Sequence, residues 1–445
     1  MYGYCLKILP NLSYSSQQKW RIQLKEILFQ FLSVTCFILI FVFSATTCWT
    51  MWLYLLIKLM KLSYTVGNEF ITNEKILIHP YDEVFNNEKL FYSFAQFLIL
   101  FILMTSYWIY WRIDKGSEEK GSHPKKFIRN LIIWKYLADY FPIKLVLTEL
   151  YSTQEDKHTT SGVPEDSTIV DLHDNSQEND NDHNDNDRRD NQTSITDCDS
   201  PMSRQQLTCI KQLFPATRNY LVGYHPHGIF GIGSFVNFLT EANQFSEKFP
   251  GITPWLTTLE INFKAPLHRD ILMSFNLVSA TYKGISYLLD PKQCGKTGNF
   301  VVVVLGGAPE ALDSRPGKYV FHTNRRYGFF KLALLTGSDL VPCVSFGEPN
   351  MYKQVHNPEG SCIRHLQNRF TEMATFSPPL FYARCLLPYR ATVNTVIGRP
   401  IYCEKNPNPT REQISILKEL YLKQLQNLYN KYKPIYDPNG DLTFV

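Results

Sequence analysis

The sequence predicts an α/β domain built on a mixed sheet with flanking helices, anchored by an N-terminal transmembrane helical hairpin. Three observations carry that prediction. Two runs without a charged residue, 27–57 and 90–111, lie in the first quarter of the 445 residues. Beyond Leu213, short β-rich runs alternate with helical patterns, as in strands joined by helices. One of those runs, Phe300-Val301-Val302-Val303-Val304-Leu305, is apolar at every position, as a strand covered on both faces must be.

Taken in order, residues 1–26 form a cytosolic N-terminal segment carrying Lys7, Lys19, Arg21 and Lys25. Each uncharged run is long enough to cross a hydrocarbon layer of about 30 Å. Residues 27–111 therefore read as a hairpin with spans at 27–57 and 90–111. The first run is too long, and begins too late, for a signal peptide. Trp49, Trp52 and Tyr54, then Trp108, Tyr110 and Trp111, gather near the ends of the runs, where interfacial rings belong. Arg112, Lys115, Lys120, Lys125, Lys126 and Arg129 follow the second run, which favours both ends in the cytosol. Within the membrane-proximal segment 112–152, residues 127–146 predict an amphipathic helix ending at Pro142 and lying on or near the membrane surface.

Residues 153–208 form an acidic insert. Between 153 and 200 it holds fourteen Asp and Glu against three Lys and Arg, which leaves +15 for the rest of a chain of net charge +4. Such a segment buries too little apolar area to offset its chain entropy, so a disordered loop is expected. The basic remainder suits anionic headgroups or a phosphate-bearing substrate. Neither a basic helix nor an aromatic-basic repeat points to nucleic acid. Ten cysteines stand as singletons with no C-x-x-C pair, which argues against a disulfide framework and a zinc knuckle. A reduced, cytosol-facing domain follows, in which the sequon Asn191-Gln192-Thr193 stays unmodified.

The catalytic domain is expected over 209–445, with strands at 220–224, 300–305, 340–346 and 391–397 and helices at 234–249, 328–336 and 411–432. Four polar islands interrupt it near strand ends, where ligands of open α/β sheets gather. The first is His225-Pro226-His227-Gly228, and the second is Phe263-Lys264-Ala265-Pro266 with Arg269 behind it. The third is Gly306-Gly307-Ala308-Pro309-Glu310, running on to Arg315-Pro316-Gly317-Lys318. The fourth is Arg325-Arg326-Tyr327-Gly328 with Lys331, leading to Pro342 and to Phe346-Gly347-Glu348.

A neutral histidine can take the proton of an alcohol attacking an acyl carbonyl, worth roughly 10²- to 10⁴-fold in rate. The glycine-opened helix start after His227 would offer N–H groups to a developing oxyanion, about 3 kcal/mol per donor. Arg325, Arg326 and Lys331 would hold the phosphates of a large acyl carrier, Glu310 would orient a histidine or an arginine, and Pro342 would shape the pocket from a strand end. His-x-His also suits a metal. A binuclear hydrolase needs an Asp-His pair just beyond it, and here the chain reads Gly228-Ile229-Phe230-Gly231. No metal or redox cofactor is therefore expected, and a metal-dependent lipid hydrolase is the competing class. His268, His322, His356 and His365 are expected at the surface or in the core.

In order, these islands resemble the type 2 diacylglycerol O-acyltransferases with their monoacylglycerol and wax-ester relatives. The resemblance rests on Tyr220-Leu221-Val222-Gly223-Tyr224-His225-Pro226-His227-Gly228, Gly306-Gly307-Ala308 with Glu310, Pro316-Gly317-Lys318, and Asp339-Leu340-Val341-Pro342 with Ser345-Phe346-Gly347-Glu348. It runs from the hairpin to the C-terminus, the acidic insert excepted. A more distant similarity joins it to glycerolipid acyltransferases in which an aspartate stands five positions after the base. Here Phe230 and Ile232 stand five after His225 and His227, so another group must orient the base, with Glu310 the candidate.

Residue chemistry and resemblance together imply a glycerolipid-acyltransferase-like fold with catalytic His225, His227 and Glu310. Substrate contacts are implied for Pro226, Gly228, Arg269, Gly306, Gly307, Arg315, Arg325, Arg326, Lys331 and Pro342. Acyl-CoA and diacylglycerol are the implied substrates, with monoacylglycerol or a fatty alcohol as alternative acceptors. The implied setting is a multi-pass protein of the endoplasmic reticulum membrane or the lipid-droplet surface, in contact with membrane lipid, and a homo-oligomer is allowed.

Overall fold

The structure is a computed structural model that describes residues 14–72, 88–148, 203–374, 376–384 and 387–445. The disorder expected of the acidic insert falls, through residue 202, outside the described residues.

The chain begins with helix α1 (Tyr14–Ile38), a π-helical turn (Leu39–Phe43) and helix α2 (Ser44–Thr72), and α3 follows at Glu88–Ile113. Two segments, Gln23–Phe41 and Glu88–Glu119, are long and apolar enough to cross a membrane, with mean hydropathies of 1.9 and 1.7. The first uncharged run is divided among α1, the π-helical turn and α2. Its front part lies on the sheet domain, where Val34, Phe37 and Ile38 are buried and Phe37 meets Phe235 at 5.1 Å. Its rear part runs along α3, with Trp52 against Tyr107 at 5.1 Å. Most of the apolar surface of α2 and α3 is open, Leu53, Ile57, Ile99 and Leu103 included.

The single amphipathic helix expected over 127–146 is divided. A turn at Lys126–Arg129 precedes α4 (Ile132–Tyr140), and strand β1 (Ile143–Leu147) follows. Pro142 stops the helix, and the apolar residues beyond it find a strand partner instead of a membrane. Trp134, Leu137 and Ala138 of α4 are buried beneath α1, so α4 covers the sheet, although Ile132 is exposed. Helix α5 (Arg204–Leu213) starts at a capping box between Ser203 and Gln206.

The remaining strands are β2 (Tyr220–His225), β3 (Thr253–Thr258), β4 (Leu277–Ser279), β5 (Asn299–Val304), β6 (Lys318–Phe321), β7 (Asp339–Phe346), β8 (Lys353–Gln354), β9 (Phe381–Tyr382), β10 (Val393–Ile397) and β11 (Asp441–Phe444). Seven strands form the main sheet in the order β1-β10-β7-β2-β5-β3-β4. β2 runs parallel to both neighbours, β5 and β7, while β10 is antiparallel to β7 and parallel to β1. The sheet is therefore mixed, as expected, with β2 at its centre. The small pairs β6–β11 and β8–β9 stand apart from it.

Side chains alternate between two cores, one on each face of the sheet. Val222, Val302 and Val341 pack toward Phe235 and Phe238, and Leu221, Val301 and Leu340 toward the opposite side. The helices that matter to the site are α6 (His268–Met273), α7 (Ala308–Asp313), α8 (Tyr327–Thr336), α9 (Cys362–Ala374) and α10 (Arg411–Tyr436). α10 lays Tyr421, Leu425 and Tyr429 into the second core.

Two further expectations change. The helix foreseen at 234–249 is a short α turn (Ile232–Ser234), a π turn (Phe235–Leu239) and a separate turn (Phe245–Lys248). Thr240 ends the first part, its hydroxyl donating to the Val236 carbonyl at 2.6 Å and accepting from the Ala242 amide at 3.2 Å. Pro342 stands inside β7, level with Gly223, rather than at its end. The β10 pairing begins only at Cys343, and the Gly398 N–H donates to the Pro342 carbonyl at 2.9 Å. A residue without an N–H fits a strand where the ladder has lost its partner.

Candidate active site

β2 and β5 are parallel neighbours, so their C-terminal ends open at the same edge of the sheet and bring two islands together. His225 is the last residue of β2, joined to Pro226 by a cis peptide bond. Beyond β5 come Gly306 and Gly307, then α7. Gly307 has φ 63° and ψ −150°, a conformation reserved for glycine. A Cβ on Gly306 would collide with the Glu310 carboxylate. Both glycines are needed for that carboxylate to fold back over its own loop.

His227 sits where the two loops meet, half-buried. Its Nε2 lies 2.9 Å from the Gly307 carbonyl, and its backbone N–H donates to Glu310 Oε1 at 2.8 Å. A carbonyl oxygen only accepts, so Nε2 carries the ring proton and Nδ1 holds the lone pair. Burial pushes the imidazole below its ordinary pKa, and the bond to Gly307 opposes that shift. The ring is therefore a neutral base at physiological pH. Glu310 was expected to orient the histidine; its carboxylate meets the His227 backbone amide and not the ring, whose Nε2 meets the Gly307 carbonyl.

Glu310 is almost wholly buried, and burial raises its pKa to about 8, against the pull of the His227 amide and of Arg326. At neutral pH it is a carboxylic acid, and its Oε2 has no hydrogen-bond partner. Arg326 donates from Nη2 to the Gly306 carbonyl at 2.8 Å, clasping the glycine loop from the other side.

His225 is placed differently. It is fully buried, with Nε2 3.0 Å from the Tyr421 hydroxyl and its ring 5.1 Å from Phe321. Burial, helped by His227, depresses its pKa to about 3. It is a neutral core residue under the corner, and neither ring nitrogen contacts the Gly307 loop.

Two residues absent from the expected site brace it. Glu348, buried, accepts the Gly233 N–H at 3.1 and 3.0 Å on its two oxygens and the Tyr224 hydroxyl at 3.2 Å. Burial raises its pKa to about 7. The helix-start N–H groups expected to stabilise an oxyanion are thus already engaged: Gly231 with the His227 carbonyl at 2.9 Å and Gly233 with Glu348. The signal was legible, a lone glutamate two residues past a fully buried eight-residue strand, Asp339–Phe346. Tyr421 is one of three tyrosines in the buried stripe of α10, with Tyr429 and Tyr432, so the sequence alone did not single it out.

The other expected residues are distributed as follows. Gly228 lies in the corner with φ 64°, where a Cβ would stand 2.9 Å from Glu348 Cγ, and Pro226 is buried. Arg269, expected on substrate phosphate, is instead 1% exposed and held by Asp114 at 2.7 Å and Glu118 at 2.8 Å. Its guanidinium also donates to the Asp114 carbonyl at 2.6 Å, tying α6 to the turn after α3. Arg315 is bonded to Asn357, and Pro342 is inside β7. Arg325 stands exposed just before α8, and Lys331 is exposed within it. His268 is buried against Ser44 at 2.7 Å, and His322 pairs with Asp313 at 2.8 Å. Among the described residues no three His, Cys, Asp or Glu side chains converge as a metal would require.

The diacylglycerol acyltransferase family profile matches residues 90–164 and 205–445. The unmatched stretch between them lies within the acidic insert. The chain is 35% identical over 336 residues to 2-acylglycerol O-acyltransferase 1 of Homo sapiens, covering 74% of this chain and 80% of that protein. It is 34% identical over 351 residues to diacylglycerol O-acyltransferase 2 of Homo sapiens, covering 76% and 74%. The protein of the same name from Dictyostelium discoideum is 34% identical over 324 residues, covering 71% and 78%. No solved structure matches the chain.

Proposed function

Since the chain belongs to the diacylglycerol acyltransferase family, we propose that it moves the acyl group of acyl-CoA to the free hydroxyl of diacylglycerol, with His227 as general base. The observation that carries this reading is the placement of the His227 ring, whose Nε2 meets the Gly307 carbonyl at 2.9 Å and so carries the proton, leaving the lone pair on Nδ1. The acceptor hydroxyl gives its proton to Nδ1 as its oxygen attacks the thioester carbon. The tetrahedral adduct then collapses with cleavage of the C–S bond, and the Nδ1 proton passes to the departing thiolate. The products are triacylglycerol and free CoA, and the base is returned unchanged.

The surrounding groups support that sequence of steps. A carboxylic acid at Glu310 adds no charge beside His227, so the imidazole is not stabilised as a cation before it is needed. Arg325, exposed just before α8, and Lys331, exposed within it, suit the phosphates of CoA. No step calls for a metal or a redox cofactor. The apolar surface of α2 and α3 favours a membrane protein, which we place in the endoplasmic reticulum with the sheet domain cytosolic.

A second acceptor is favoured by one observation, the equal similarity to a relative named for 2-acylglycerol. Membranes bearing the full chain, given labelled acyl-CoA with diacylglycerol, monoacylglycerol or a fatty alcohol, distinguish these readings. Diacylglycerol is expected to give the largest kcat/KM and to yield triacylglycerol. Preference for another acceptor would move the substrate assignment. Release of free fatty acid without an acceptor, lost on chelation, would return the competing hydrolase.

A further inference from the structure

Helix α9 is amphipathic in the reverse sense. Its inward face is polar: Arg364 bonds Asp313 at 2.6 and 3.2 Å, Gln367 bonds Asn357 at 2.8 Å, and Thr371 meets Ser377 at 3.1 Å. Its outward face carries Ile363, Leu366, Phe370 and Met373, which are 37, 72, 42 and 85% exposed. Spacings of three and four put these four side chains on one stripe. A helix of a water-facing domain turns such a stripe inward; here the polar side is already taken by the protein.

The surface around it carries a small excess of cations. Arg369 is exposed on α9, and Lys353 and Arg384 are exposed on the β8–β9 ribbon and the residues beside it, against exposed Glu359 and Glu372. An apolar stripe with cations around it fits an interface with anionic headgroups, where the side chains enter the acyl boundary and the cations stay among phosphates. The bare flanks of α2 and α3 already give the same chain a need for lipid.

The stripe is also joined to both motif loops. Asp313, the partner of Arg364, is the last residue of α7, which carries Glu310. Gln354 of β8 donates to the Ala311 and Ser314 carbonyls, both at 2.6 Å. Phe230, three residues past His227, packs on Tyr352 at 5.3 Å and Phe381 at 5.1 Å. We propose that α9 and the β8–β9 ribbon form a second lipid-contacting surface, which lies in an anionic bilayer interface and sets the two catalytic loops against the surface that supplies the acceptor. Its link to acceptor delivery rests on the diacylglycerol reading; the contact itself does not.

The test uses the full chain in vesicles of phosphatidylcholine with phosphatidylserine. A fluorescent side chain is installed by genetic encoding at position 366, and at position 359 as a water-facing control. Position 366 is expected to be quenched by lipids brominated on the acyl chain and shielded from iodide, the control the reverse. Replacing phosphatidylserine by neutral lipid is expected to cut the bromolipid quenching at least twofold. Free access of iodide to position 366 overturns the proposal. Shielding from both quenchers overturns it too, by assigning the stripe to a second copy or another segment of the chain. Quenching indifferent to lipid charge overturns the role of those cations.

In the same vesicles Leu366→Glu with Met373→Glu is expected to raise KM for bilayer diacylglycerol about tenfold at unchanged KM for acyl-CoA and unchanged melting temperature. An unaltered KM for diacylglycerol overturns the delivery role. Bromolipid quenching in a protein that acylates only another acceptor would leave the contact standing and remove the diacylglycerol reading.

Discussion

Two polar clusters tie loops of this protein together, and they differ in what they leave unused. Around Arg269, the guanidinium is taken up by Asp114, Glu118 and the Asp114 carbonyl, and the arginine is out of water. Around His227, each partner makes a bond and keeps a valence: Nδ1 of the imidazole holds a lone pair and Oε2 of Glu310 has no partner. A satisfied cluster is a fastener. A cluster with spare capacity, at the open end of the central strand, is where chemistry can be done. The contrast teaches that a polar cluster tying two loops together becomes a site only when the fold leaves it something to give.

Substitutions should separate the two clusters by what they lose. His227→Ala is expected to lower kcat by about 10³-fold, within the range for a general base, with amount in membranes and melting temperature unchanged. Arg269→Ala should do the reverse. It strands Asp114 and Glu118 and costs about 3 kcal/mol of stability, as broken buried ion pairs do. Thermal unfolding should register that loss, while kcat per folded molecule holds. A catalytic loss without destabilisation would restore Arg269 to the site.

Gly306→Ala tests the geometry of the spare cluster without touching its chemistry. The added methyl displaces the Glu310 carboxylate and with it the hold on the His227 amide. A kcat lower by about 10- to 100-fold is expected, as for a misplaced catalytic group, with KM for acyl-CoA little changed. Activity equal to the parent chain would show that Glu310 does not position the base.

The smallest effect is in pH. Glu310 and Glu348 have pKa values raised to about 8 and about 7 from 4.5, so the fold favours their protonated forms. Their contribution to stability is full below 4.5 and is lost as pH rises through 7 to 8. His225 runs the other way, with a pKa depressed from 6.5 to about 3; its contribution is full above 6.5 and is lost as pH falls below that. Together these three groups put the highest melting temperature near pH 4.5, with a decline as pH rises from there toward 8 and a second decline as it falls toward 3. Glu348→Gln should flatten only the alkaline side, by roughly 3 °C at pH 9. Flattening of the acid side would contradict the assignment.

Much of this was legible in the residues. The all-apolar run beginning at Phe300 marked β5 as an inner strand, and it pairs with both β2 and β3. The His-Pro-His-Gly corner and the Gly-Gly-Ala-Pro-Glu loop are brought together because β2 and β5 are parallel neighbours. What failed depended on partners distant in sequence. Nothing near residue 143 announces that a strand will pair with Val393, so no strand was expected beyond Pro142. Arg269 read as a phosphate ligand because its two carboxylates come from a turn more than a hundred residues earlier. The role of Gly307 was hidden for another reason, since its carbonyl belongs to the backbone and carries no side-chain signature.

The central claim is that His227 takes the acceptor's proton at Nδ1 while Nε2–H serves only to hold the ring. His227→Gln isolates it, because the glutamine amide can donate to the Gly307 carbonyl in place of Nε2–H but offers no basic nitrogen. In membranes containing the full chain, with labelled acyl-CoA and diacylglycerol, this variant is expected to keep its melting temperature and lose about 10³-fold in kcat. Turnover within threefold of the parent chain would contradict the account.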